Sequence, residues 1–189
     1  MNSQALVRVL VAGLGMNGMF LMSSAVASAA DVYTATMVEN RGLREPKKAK
    51  VTVTIEQFST PEDTAKLEAA YKEGGSDGAI QLIRTMERGF VTVEGIRATR
   101  IHHVRVHEGQ AGNTVIIVTE NPLRFPDERP DARSAGALGI VQFDLNAQGM
   151  GRGTMAEVVS VSLKEDGSLE IQSFNQATIQ LEDVSKVEP

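Results

Sequence analysis

Apolar and polar residues trade places with a period of two along most of this chain, and the period breaks once. Val51, Val53 and Ile55 alternate with Thr52, Thr54 and Glu56, the pattern of a strand with one buried face. Residues 31–38 alternate more weakly and read as an earlier strand. The polar stretch 40–50 between them reads as a solvated loop holding Arg41, Arg44, Lys47 and Lys48, with Pro46 inside it. Thr60-Pro61-Glu62-Asp63 then changes the period. A threonine hydroxyl can accept from the N–H three residues on, and the carboxylate there can reach back. Proline fits the first helical position, where an N–H would go unpaired anyway. Ala65, Leu67, Ala70 and Tyr71 supply the apolar positions, and Gly74-Gly75 ends the helix. Asp77 reads as the cap of a second helix carrying Ala79, Ile80, Leu82, Ile83 and Met86, stopped by Gly89. Neither helix is long enough to stand alone. The pair is therefore expected as a helical hairpin over residues 60–88, packed on something else.

From Phe90 the period returns to two. Strands are expected at 90–94 and 98–107, with a turn at 108–113. Residues 115–118 are apolar on both faces and read as a central strand. A long polar loop, 120–136, carries Pro122, Pro126 and Pro130. A strand over 137–145 follows, with Val141, Phe143 and Leu145 on one face, and a glycine-rich turn at 146–153. Val159, Val161 and Leu163 mark the next strand. Asp166-Gly167 is the strongest hairpin signal, because this pair supports the positive φ of a tight turn. Leu169 and Ile171, then Ile179 and Leu181, continue the pattern. Short turns between consecutive strands favour antiparallel pairing. The expected fold class is α+β: an antiparallel β meander or partly closed barrel of about eight strands with one helical hairpin.

The first thirty residues follow another logic. Arg8 is their only charge, an apolar run from Val9 to Met22 is interrupted by glycines, and small residues run from Ser23 to Ala30. A positive start, a short apolar core and an Ala-x-Ala-like end make a secretory signal. The run is too short and too glycine-rich for a good membrane span, which needs about 20 apolar residues. Cleavage before Ala30 or Asp31 fits the small residues on either side. The expected organisation is a signal peptide, 1–30, and a single β-rich domain, 31–189. The protein is expected to be exported, periplasmic or extracellular, with no transmembrane segment after cleavage. Removing thirty of the 189 residues leaves 159, enough for one core, and losing Arg8 moves the net charge from −5 to −6. An acidic surface gives no reason to expect nucleic acid. The absence of Cys removes disulfides, thiol catalysis and thiolate metal sites, and excludes a lipid-anchored cysteine.

Candidate chemistry concentrates in Arg100-Ile101-His102-His103-Val104-Arg105-Val106-His107, which holds all three histidines. Alternation puts His103, Arg105 and His107 on one face and His102 on the other. His103 and His107 lie roughly 13 Å apart along a strand, too far to share a metal whose nitrogens sit about 2.1 Å from it. No metal and no cofactor are expected. Gly149-Met150-Gly151-Arg152-Gly153 lacks the strand–loop–helix setting of a phosphate loop, and no Gly-x-Ser-x-Gly elbow exists. The long loop is the second candidate, with Glu120, Arg124, Asp127, Glu128 and Asp131, since long loops in compact domains tend to carry function. A ligand is therefore expected at His103, Arg105, His107, Glu120 and Arg124. Exposed residues there would cost about 0.5 kcal/mol or less on replacement by Ala. The leading expectation is a non-enzymatic binding domain for a small or lipidic ligand, or an envelope protein partner. The alternatives are a hydrolase-like enzyme using loop carboxylates with a histidine, and a structural envelope module.

Residues 114–125, Thr-Val-Ile-Ile-Val-Thr-Glu-Asn-Pro-Leu-Arg-Phe, resemble a stretch of an uncharacterised family of secreted bacterial proteins. There an apolar strand runs into a Thr-Asp-Arg-Pro-like corner, then an aromatic and an acid. Thr119, Pro122, Phe125 and Asp127 match, while Glu120 and Asn121 replace the Asp and Arg. Residues 139–145, the turn at 149–153 and the ending 171–184 are also similar. The resemblance implies a shared secreted domain and no particular activity.

Overall fold

A computed structural model describes residues 30–39, 45–128, 137–163, 169–173 and 179–187. The segment up to residue 29, expected to be a signal peptide, and Arg41, Arg44, Asp131 and the Asp166-Gly167 pair lie outside the described residues. In chain order the elements are β1 (Asp31–Glu39), β2 (Lys47–Ile55), α1 (Pro61–Ile83), β3 (Gly89–Val93), β4 (Thr99–Gly109), β5 (Gly112–Thr119), β6 (Gly139–Asn146), β7 (Met150–Leu163), β8 (Leu169–Ser173) and β9 (Ile179–Val187).

Strands β1 to β7 pair antiparallel, each with the next. Strand β9 then lies between β7 and β1, and the sheet closes into an eight-stranded antiparallel barrel with the helical element outside it. Closure leaves none of the eight with a bare ladder of N–H and C=O groups. β8 stands apart from the ring. It pairs with Val158–Leu163, the half of β7 that runs on beyond its pairing with β6, so the β7–β8 ribbon projects past the rim.

Eight strands enclose a space just wide enough for side chains. Tyr33 and Met37 of β1, Val51, Val53 and Ile55 of β2, Ile117 of β5 and Phe143 of β6 fill it. Tyr33 and Phe143 meet with ring centroids 5.7 Å apart and planes tilted by 42°. Burying one such ring is worth roughly 2–3 kcal/mol. A second apolar cluster lies outside the wall. Leu67, Ala79, Ile83 and Met86 pack there on Val118, Leu138, Val158 and Val161, which fastens the helical element to β5 and to the projecting ribbon.

The capping box forms as the sequence predicts. The Asp63 N–H donates to Thr60 Oγ1 at 3.2 Å, and the Thr60 N–H donates to Asp63 Oδ2 at 2.8 Å. The helix breaks at Gly75, whose φ of 62° and ψ of −151° are not helical. A Cβ on Gly78 would come within 2.6 Å of the Ala70 carbonyl oxygen. Residues eight apart in a straight helix sit about 12 Å apart, so the two helical pieces fold back on each other as a hairpin. Asp77 lies within the second piece and does not cap it; the glycine supplies the break instead.

Several boundaries differ from expectation: β4 runs to Gly109 and β5 begins at Gly112, so the turn expected at 108–113 spans only 110–111. Lys47 and Lys48, read as loop, begin β2 opposite Glu39 and Val38. The turn at 146–153 is shorter than its glycines suggest. Only 147–149 turn, and Gly151 and Gly153 are strand residues opposite Leu145 and Phe143. They are glycines because β7 lies too close to β6 there for a Cβ, which on Gly151 would collide with the Asp144 carbonyl oxygen.

The first part of the long loop, 120–128, is not a solvated tether. Leu123 and Phe125 turn into the barrel core and plug the end where β5 leaves and β6 enters. Glu128 accepts from the Phe125 N–H at 3.1 Å. Lys47 donates to Asp127 at 2.6 Å and Glu128 at 3.4 Å, and lies 5.4 Å from the Phe125 ring centroid. No helix among the described residues is long and apolar enough to cross a membrane.

Candidate functional site

The histidine strand is irregular where it matters. A register shift falls between Ile101, opposite Thr119, and His103, opposite Val118. Ile101 and Val104 both belong to the barrel core, so the two residues between them, His102 and His103, share the outer face. This corrects the expectation that they point to opposite sides: a bulge inserts one residue into the alternation. Beyond the bulge the period resumes, and His103, Arg105 and His107 do follow one another on the outer face, opposite Val118, Ile116 and Thr114.

Their environments differ. His103 is only 4% exposed, Arg105 is half-buried and His107 is exposed. The expectation of exposed side chains fails for His103, which is buried within reach of the Asp63 and Arg88 charges. His102 is buried too, and its Nδ1 donates to the Met86 carbonyl at 2.6 Å. Glu120 and Arg124 lie elsewhere. The Glu120 N–H donates to the Arg100 carbonyl at the start of β4, roughly 15 Å along the strand from Arg105. Arg124 is half-buried between the plug residues Leu123 and Phe125. The fold therefore groups His103 with Arg105 and leaves Glu120 and Arg124 at the plugged end. Asp127 and Glu128, the described carboxylates nearest Phe125, engage Lys47 rather than a histidine.

Two residues join the histidines that sequence reading had not placed there. Arg88 donates to Asp63 at 2.8 Å, with side chains only 13% and 12% exposed. Asp63 was legible as a helix cap. Nothing local marked Arg88 as its partner 25 positions on. The Thr60 N–H, more than any other group, holds the Asp63 carboxyl below the usual carboxylate range. Arg88 adds to that effect and desolvation opposes it. Burial pushes the His103 imidazole down to about 4. Arg105 and Arg88 push the same way, and Asp63 opposes them. His103 is therefore neutral at pH 7. Arg88 Nε, His102 Nε2 and His103 Nδ1 are buried without hydrogen-bond partners. No group of three or more histidines and carboxylates among the described residues is arranged to hold a metal.

Beside this cluster, α1 and β4 enclose an open cleft of about 330 Å³. Ser59, Thr60, Pro61, Thr64 and Glu68 line one side, and Arg105 and Val106 the other. Ser59 ties the two sides together: its N–H donates to the Val104 carbonyl, and its hydroxyl accepts from the Val104 N–H, both at 3.0 Å.

Fold and site together define a closed eight-stranded antiparallel barrel with a helical hairpin clamped to its outer wall through a buried Asp–Arg–His cluster. Comparison with protein-family models, with curated proteins and with solved structures finds no match to this chain.

Proposed function

We propose that this chain is an exported, non-enzymatic binding domain that takes a small polar ligand in the cleft between α1 and β4. One observation carries the reading. A cation, Arg105, and a carboxylate, Glu68, line the cleft together with the hydroxyl residues Ser59 and Thr64. Its volume of about 330 Å³ stands at the small end of ligand sites. A ligand carrying both an anionic and a donor group meets that wall best. Among the described residues, Phe125, Phe143, Met37 and Leu181 occupy the barrel interior. A lipid chain finds its space already taken by side chains. Export rests on the pattern of the first thirty residues.

Native mass spectrometry of the protein from its own host tests this. A small mass should co-purify, and Arg105→Ala should remove it while circular dichroism stays unchanged. A ligand retained by Arg105→Ala would overturn the site. A bare mass, together with an unchanged melting temperature across a panel of small zwitterions and hydroxy acids, would overturn the binding reading.

A further inference from the structure

The only buried side-chain atoms without hydrogen-bond partners among the described residues are Arg88 Nε, His102 Nε2 and His103 Nδ1. Arg88 bonds Asp63 of the first helical piece, while His102 bonds the Met86 carbonyl after the second piece and precedes His103 on β4. Buried polar groups left unpaired are uncommon and call for a physical account. Among the described residues, three charges act on His103. Asp63 faces it from α1, Arg88 from the segment before β3, and Arg105 from its own strand. His102 is its neighbour on the bulge, and β5 opposes it with uncharged Val118 and Ile116. The single carboxylate in this set is already engaged, by the Thr60 N–H and by Arg88.

We propose that this cluster is an acid-released latch, in which protonation of His103 frees the first helical piece of α1 from the barrel and opens the cleft. A proton on His103 adds a third cation to Arg88 and Arg105 around one shared carboxylate, in a place that burial keeps dry. Moving the piece away returns His103 to water, where an imidazole holds its proton near pH 6.5. The docked side chain gives its proton up down to about pH 4. The opened form therefore binds more protons between those values, and docking weakens as pH falls through that window. Asp63, held below the usual carboxylate range, stays ionised at pH 5 and does not confound the effect.

The fold supplies a hinge. Gly75 interrupts the helix, and the second piece is anchored separately. Ala79 and Ile83 are buried in the outer cluster, and Ser76 Oγ accepts from the Val161 N–H at 3.0 Å. The first piece buries Leu67 in the same cluster, so its release exposes Leu67 while Ser76, Ala79 and Ile83 hold the second piece in place. Thr60, Pro61 and Thr64 travel with the first piece and Arg105 does not, so opening takes the cleft apart. The latch does not depend on the cleft being a binding site.

Hydrogen exchange of the full chain at pH 7 and pH 5, corrected for intrinsic rates, tests the latch. Two ionisation constants of about 6.5 and 4 imply a roughly twenty-fold loss of protection. It should be confined to residues 57–74, with β5, β6 and residues 76–83 unchanged, and His103→Phe should abolish it. Three results would overturn the proposal: pH-independent protection of 57–74, a loss spread evenly over the barrel, or the same loss in His103→Phe. If that variant does not fold, His103→Leu replaces it. If neither folds, NMR titration of the histidine rings decides on the unaltered chain. A His103 that titrates at or above pH 6.5 refutes the latch, and one that titrates well below it, with 57–74 losing protection in step, supports it.

Discussion

Replacing Asp63 by Ala should be among the most damaging single changes on the outside of the barrel. The carboxylate has two jobs. It closes the capping box by accepting from the Thr60 N–H at 2.8 Å, and it neutralises Arg88 at 2.8 Å. Losing a capping interaction costs about 1 kcal/mol. Leaving a fully buried charge unpaired costs roughly 3–5 kcal/mol. The Arg88 side chain keeps 13% exposure and two other acceptors, Gln57 Oε1 and the Glu87 carbonyl. Its share falls on that account to about 2 kcal/mol. The expected loss at pH 7 is about 3 kcal/mol, which at a urea slope near 2 kcal/mol/M moves the midpoint down by about 1.5 M. Asp63→Asn keeps an acceptor for Thr60 and should lose about 2 kcal/mol. The sign with pH follows from a carboxyl whose folded pKa is lowered. Its stabilisation is present above the ordinary carboxylate range and disappears as pH falls through the folded value. The gap between the unaltered chain and Asp63→Asn should therefore narrow below about pH 4. Urea titrations at pH 7 and pH 3 measure both effects. A loss below 1 kcal/mol for Asp63→Ala would mean that water screens the ion pair and that Asp63 is only a cap.

Phe125→Ala should remove the barrel plug and cost about 4 kcal/mol in urea denaturation; a cost under 2 kcal/mol would show that the loop does not seal the core. Gly151→Ala, which drives a methyl into the Asp144 carbonyl, should cost about 2 kcal/mol. Gly74→Ala, with nothing within 4 Å, should instead raise stability by about 0.5 kcal/mol, and paired thermal melts of the two variants check the contrast. Arg105→Ala should cost about 0.5 kcal/mol or less, whereas His103→Ala should cost about 2 kcal/mol through the cavity it leaves; equal losses would contradict their different burial. If the first thirty residues direct export, the intact mass of protein recovered from its own host should correspond to a start at Ala30 or Asp31, and recovery of the full-length precursor from membranes would reverse that reading.

Much of this fold is written in nearest-neighbour chemistry. The capping box of Thr60 and Asp63, the break at Gly75 and the inward rows Val51–Val53–Ile55 and Val141–Phe143–Leu145 depend on residues a few positions apart. A hydrogen bond spanning three residues, or a side chain pointing to alternate faces, needs no knowledge of the rest of the chain. The candidate strand could be read in the same way, because three histidines and two arginines within eight residues stand out in any sequence. What surrounds that strand could not. The bulge between Ile101 and His103 arises from the pairing of β4 with β5, and it turned His102 to the outer face. Barrel closure needs β1 to find β9, with Val32 opposite Val187, and no local pattern encodes a pairing over that separation. Tertiary packing buried His103, gave Asp63 its cation 25 residues away, and formed the cleft from two polar faces. Local chemistry along the chain settles which residues can be inside and where helix replaces strand. Tertiary structure decided which polar residues lost their water, and loss of water is what separates His103 from an ordinary surface histidine.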